Sequence, residues 1–333
     1  MANTLPSRLG LVNNTGSDVN ELFLKVFSGE ILTTFEEANV MKGLHTIRTI
    51  ANGKSAQFPV TGIATAKYHT PGVNIADSTS GYLSQIKHAE KIINIDDVLV
   101  ASTFIANIDE LKNHYDVRSI YAQELGRALA KRFDLATMKT LAAAAAGVSE
   151  IGLKDGITIN RGSGTLTGAT IESSLFTAAQ KLDENDIPND GQRFAILKPE
   201  DYYKLISTSD ILTNNRDFGG RGDVATGSIP MVAGIKIYKS NHLKDVAKAE
   251  ASLDQDDDNT LNDVFGASGT GYNANLVDLD IIGGHPSSIG TVKLLDLATE
   301  SDYKVELQGN LFVAKYAMGH GVLRPEAAFQ IQV

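Results

Sequence analysis

The stretch from Asn107 to Gly147 constrains this chain more than any other, because it reads as one uninterrupted helix. Asn107 is a suitable N-cap, and Glu110, three residues on, can reach back to it as in a capping box. Apolar or small residues return at helical spacing at Ile108, Leu111, Tyr115, Ala122, Leu125, Leu129, Phe133 and Ala136. A second flank holds Val117, Tyr121, Ala128, Leu135 and Met138, so the spacing predicts a broad buried stripe. Lys112 with Asp116, and Glu124 with Arg127, are placed to pair on the exposed side. The alanines 142–146 favour helix, and Gly147 suits the C′ position. Such a rod is roughly 60 Å long, about twice an ordinary domain helix, and suits a brace for a large, flat subunit.

The rest of the chain has the means to surround that brace. Its 333 residues allow two domains, or one with large excursions, and 42% hydrophobic content suffices for a core. No apolar run approaches the ~20 residues of a membrane span, and residues 1–20 show no signal-peptide pattern. With no cysteine, disulfides, thiolate metal sites and cysteine nucleophiles are excluded. A net charge of −10 argues against gripping nucleic acid by its phosphates; near DNA, such a chain is expected to line a space.

Before the helix, residues 1–20 read as a flexible arm, and Glu21–Phe35 as an amphipathic piece that needs a surface, such as a neighbouring subunit. From Leu44 the period becomes two. Thr46–Ile50 and Ser55–Val60 flank Asn52-Gly53, a hairpin signal, and Pro59 marks an edge. Strand character returns at Ile86–Ile95, so residues 43–92 read as a long two-stranded excursion that must lean on another surface. After the helix, a helix is expected over Thr170–Glu184, a buried strand at Phe194–Leu197, a helix from Pro199 to Ile206 and a strand at Met231–Tyr238. This alternation predicts a compact α/β part. Residues 243–275, with seven acids against two lysines, read as a surface insertion. Strands are expected again at Leu276–Ile282, Gly290–Ala298 and Lys304–Val313.

Motifs of catalysis are imitated and then broken. Gly53-Lys54-Ser55 resembles the end of a phosphate loop, but Arg48 stands where the first glycine is needed. GSGTLTG at 162–168 lacks dinucleotide-fingerprint spacing and reads as a connector. Asp254, Asp256 and Asp258 alternate like calcium ligands, yet Asn259 and Phe265 occupy the glycine and glutamate positions. Arg221-Gly222-Asp223 is a chance adhesion tripeptide. His45, His69, His88, His114, His242, His285 and His320 are scattered, with no HExxH, and there is no GxSxG. His320, between Gly319 and Gly321, is expected to be a structural histidine amid close backbone contacts. No catalytic residue, cofactor or metal site is assigned.

Five blocks closely resemble the major capsid protein of short-tailed phages (podoviruses) of the T-seven group. They are FLKVFSGEILTTF (23–35), GKSAQFPV (53–60), NHYDVRSIYAQELG (113–126), GTVKLLDLA (290–298) and AKYAMGHGVLRPEAA (314–328). The resemblance implies an α+β fold of the HK97-like phage capsid type. Carried over, 1–42 is the N-terminal arm, 43–92 the E-loop hairpin, and 93–160 a peripheral domain with the spine helix 107–147. An axial domain follows at 161–276 with the acidic insertion 243–275, then peripheral strands at 277–320 and a C-terminal strand at 321–333 that crosses back to the axial domain.

The same resemblance implies a structural protein of the virion, assembled in the bacterial host cytoplasm from pentamers and hexamers. Its partners are other copies, scaffolding and portal proteins, and packaged double-stranded DNA enclosed without specific binding. Some shells of this fold link a hairpin lysine to an asparagine, a role open to Lys54 or Lys67. Candidate inter-subunit contacts are Phe23, Phe27, Arg48, Lys54, Phe58, Lys67, Tyr68 and Lys87. The alternative from another class is a soluble α/β enzyme with a mobile acidic lid at 243–275.

Overall fold

The computed structural model describes residues 31, 34–35, 39–76, 82, 86–106, 117–149, 153–207, 231–243 and 279–333. The long helix, α1, runs Val117–Ala145, 29 residues or about 43 Å. Its expected start, with the Asn107 cap and the Lys112–Asp116 pair, lies outside the described residues. The Glu124–Arg127 pair forms at 2.8 Å.

Around α1 stand two sheets and a ribbon. The four-stranded sheet has β1 (Thr46–Thr49), β10 (Ile289–Lys304), β11 (Gly309–Val322) and β4 (Leu99–Ala106) in that order. Only β1 and β10 run parallel in it. The six-stranded sheet is ordered β5 (Ile157–Asn160), β12 (Ala328–Gln332), β9 (Leu279–Gly284), β6 (Phe194–Leu197), β8 (Ile235–Lys239) and β7 (Met231–Val232). The ribbon is β2 (Ser55–Thr61) paired antiparallel with β3 (His88–Asn94).

The helix is buried differently from the expected stripe. Its first turns are open, with Tyr121 and Ala128 of the expected second flank exposed, whereas every residue from Phe133 to Ala142 is buried. The cause is that α1 packs on both sheets at once. One core joins Leu129, Phe133 and Met138 to Phe312, Tyr316 and Met318 of the four-stranded sheet, and to Phe194, Ile196 and Ile282 of the six-stranded one. Alanines at 136, 142, 144 and 145 let both sheets approach. Gly147 does not take the left-handed conformation expected of it. Instead its N–H donates to the Ala144 carbonyl (3.0 Å), and the Thr158 hydroxyl donates to the Ala145 carbonyl (3.3 Å), which satisfies the helix end.

The other face of the six-stranded sheet carries Ala195, Leu197, Ile281 and Phe329 against α2 (Gly168–Glu184) and α3 (Pro199–Ser207). Alternation at period two therefore sends neighbours in β6 into two cores. The connector at 162–168 contains Thr167, which caps α2 in a reciprocal box with Thr170.

Several expectations are corrected. Asn52-Gly53 does not close a hairpin: β1 joins β10, and β2 joins β3, thirty residues away. A two-residue I′ turn needs positive φ at both positions, and only Gly53 has it, at 126°. Met231–Tyr238 is two strands, because Ala233 (φ 51°) and Gly234 (φ 78°) form such a turn. Ile31 and Phe35, from the amphipathic piece, pack on the chain's own α1, not on a neighbour. A Cβ at Gly126 would meet the Ile31 carbonyl oxygen at 2.9 Å, so glycine admits this approach. β5 and β9 lie in the six-stranded sheet, where β12 pairs with both.

Candidate assembly interface

The ribbon is positioned by what its base touches. Ala56 and Ile93 are buried with Val292 of β10, and Ile50, Phe58, Ile95 and Leu323 pack around them. β3 crosses β11 at Gly319 and Gly321. A Cβ at the first would collide with the Asn94 carbonyl oxygen, and one at the second would meet Ile93 Cγ1 at 2.6 Å. Two glycines around His320 thus let the strands cross at backbone distance. Arg48 adds a clamp: Nη1 donates to the Gln57 carbonyl (2.9 Å), and the guanidinium stacks 5.5 Å from the Phe58 ring centre.

Beyond the base the ribbon leaves the body. Lys67, Tyr68 and Lys87 are exposed there, Tyr68 with no cover at all, and Lys54 is exposed at the root. Arg48 and Phe58 face each other within the chain, so the expected contacts divide into a clamp at the base and an exposed set. Phe23 and Phe27 lie outside the described residues. Sequence reasoning passed over Ile63, Val73, Ile75, Ile86 and Ile92, all exposed here. The available signal was apolar residues recurring inside a Gly- and Thr-rich stretch. A second bare set, Tyr303, Val305 and Leu307, sits where β10 turns into β11.

The body under the ribbon is held by buried polar groups. Asp134, in the fully buried part of α1, accepts from the backbone N–H of Val40 (3.0 Å) and Met41 (3.1 Å) and from His242 Nδ1 (2.8 Å). Two scattered histidines meet through one hydroxyl: Thr291 Oγ1 lies 2.7 Å from His45 Nε2 and 2.8 Å from His320 Nδ1. His45 Nδ1 donates to the Met41 carbonyl (2.7 Å), so its Nε2 accepts the Thr291 proton, and the Thr291 oxygen accepts from His320. Burial pushes His45 down to about 4, against the opposing pull of the Met41 bond, and pushes His320 down to about 3. Both rings are neutral at pH 7. Among the described residues no cluster of three or more His, Cys, Asp or Glu could hold a metal ion. No described helix is long and apolar enough to cross a membrane.

A bracing helix between two sheets, with a ribbon and a hairpin turn that both carry uncovered apolar side chains, defines a shell subunit of the HK97-like phage capsid fold. Residues 57–332 match the family described as Gp10A-like major capsid protein. The chain belongs to that family and is a structural subunit of a phage head, not an enzyme.

The major capsid protein of Escherichia phage T7 is 35% identical over 321 residues, 92% of this chain and 90% of that protein. That of Enterobacteria phage T3 is 35% identical over 330 residues, 94% of this chain and 92% of that one. The capsid structure of cyanophage P-SCSP1u superposes with a TM-score of 0.70 at 40% identity, covering 99% of both chains. The enzyme alternative finds no support in these relatives, and residues 244–275 of its supposed lid lie outside the described residues.

Proposed function

We propose that copies of this chain close as pentamers and hexamers into an icosahedral head around double-stranded DNA, in the cytoplasm of a bacterial host. Scaffolding and portal proteins assist. The observation that carries this reading is the bare apolar set on the ribbon, Ile63, Tyr68, Ile75, Ile86 and Ile92. A monomer leaves such a set in water at a cost, and a shell covers it with the next subunit. In this reading the arm is 1–42 and the ribbon is the E-loop. The peripheral part is α1 with the four-stranded sheet, and the axial part is the six-stranded sheet with α2 and α3.

Charge favours the same arrangement. Residues 43–92 carry Arg48, Lys54, Lys67, Lys87 and Lys91 against Asp77 and Glu90, a net of +3, while the whole chain is −10. A positive ribbon on a negative body is drawn to the body of the next copy. A net negative wall does not retain DNA that must later leave. Sedimentation and electron micrographs of the purified protein test the proposal. Megadalton shells or capsomers are expected; a small globular species at all concentrations overturns it.

A further inference from the structure

Sheet edges invite pairing with another chain, and this molecule blunts nearly all of its own. Edge strands β1 and β5 have four residues each and β7 has two. Within the ribbon, β2 contains Pro59, and β3 carries Glu90 and Lys91. β10 beyond Lys293 also has no strand on that side among the described residues, but it carries Asp296, Glu300 and Asp302 and two register shifts. β4 is the exception. It is eight residues long, pairs with β11 without a register shift, and has no strand on its other side among the described residues. From Val98 to Ala106 it reads VLVASTFIA, with no charge and no proline. Leu99, Ala101 and Ile105 pack toward α1, while Val100 and Phe104 stand on the outer face, 53% and 41% exposed, with Ser102 between them.

We propose that β4 pairs antiparallel with β4 of a second copy across a two-fold axis, fusing two four-stranded sheets into one of eight strands. This rests on the shell reading above, and the occupant follows from the strand itself. An uncharged strand can face its own copy with no like-charge repulsion, and identical copies are what a shell supplies. Isologous contacts of this kind are self-complementary by symmetry.

The symmetry also sets the register. An axis normal to the sheet keeps outer side chains outer, so facing residues share parity and the centre must fall on a residue. Centring on Ser102 overlaps Val98–Ala106 in full. It sets Val100 of each copy against Phe104 of the other, a favourable aromatic and β-branched pair. Centring on Ala101 or Thr103 sets Ser102 against Val100 or Phe104 instead and shortens the ladder.

The chain has no cysteine, so a single introduced one can form a disulfide only between copies. Particles carrying Ser102→Cys, oxidised and run on a denaturing gel without reductant, should shift most chains to a dimer band. Ala101→Cys and Thr103→Cys particles should stay monomeric, since their thiols lie two positions apart across the axis, beyond disulfide reach. Ser102→Cys particles that assemble normally and run as monomers overturn the proposal. Independently, Ser102→Lys and Ser102→Glu should each lose particles while keeping the wild-type circular dichroism, and an equal mixture should regain them. Wild-type particle yield from both single variants also overturns it. Failure of the wild-type chain to form particles at all would instead sink the shell reading.

Discussion

Asp134 sits in the buried middle of α1 with both carboxylate oxygens in use, holding the segment before β1 and the segment after β8 to one helix. Removing it leaves a buried backbone donor at Met41, a half-buried one at Val40 and an imidazole N–H without an acceptor. Asp134→Ala should therefore destabilise the unassembled subunit by about 3–5 kcal/mol, read as a lower urea midpoint. A midpoint within error of wild type would show that the three donors find other partners. The histidine pair makes a different prediction. His45 and His320 have folded values near 4 and 3, below the unfolded 6.5, so the unfolded chain binds more protons throughout that window. Stability is full above pH 6.5 and falls as pH drops toward 4, by up to roughly 2–3 kcal/mol per pH unit when both contribute. His45→Gln with His320→Gln should flatten that slope in urea melts taken at a series of pH values. The wild-type slope persisting in the double variant would assign the acid sensitivity to other groups. Neither cluster was legible beforehand, because Thr291 lies 246 residues from His45 and sequence spacing carries no trace of that meeting.

At the scale of elements, local chemistry was legible and pairing was not. α2, β6 and α3 appear within two residues of where periodicity placed them, each being a short segment with one dominant pattern. Asn52-Gly53 misled because a turn dipeptide constrains two residues, while strand partnership is decided by which apolar faces meet. The long helix misled in the opposite way. A stripe predicts one covered face, but a second sheet can cover the rest when alanines permit. Of the ribbon, its existence was legible and its exposed isoleucines were not. Its charge gives a test at this scale. Lys54 is exposed at the ribbon's root. One exposed pair contributes only about 0–1 kcal/mol, yet the term repeats at every ribbon. Lys54→Glu should slow assembly, followed by light scattering, and make the rate less sensitive to salt, while the subunit folds normally. Equal rates and equal salt slopes would leave the apolar contacts as the sole source of ribbon affinity.

For the molecule as a whole, the family was legible from five blocks spread through the chain, because four of them map onto the ribbon's base, α1 and the two long strands of the four-stranded sheet, while most of 23–35 lies outside the described residues. The acidic stretch belongs to no such block. Replacing Asp254, Asp256, Asp257 and Asp258 with asparagine should leave particle yield unchanged; loss of soluble subunit or of particles would reveal a structural cation site there.

The order of pairing carries a further consequence, for the way the protein is made. β1 needs β10, β4 needs β11, and β5 needs β12, so neither sheet is complete without residues from Ile289 onward, although β9, β6 and β8 can pair before them. The ribbon waits too, since its base rests on Val292 and on the glycines of β11. A ribosome therefore releases the last 45 residues, from Ile289 on, before either core can close in full. A chain cut short has no anchored ribbon and no completed sheet to offer its neighbours. Copies truncated before β12 should therefore be left out of particles, which co-expression with the whole chain and gel analysis of the purified particles checks; truncated chains found in particles would show that these pairings are not needed for joining.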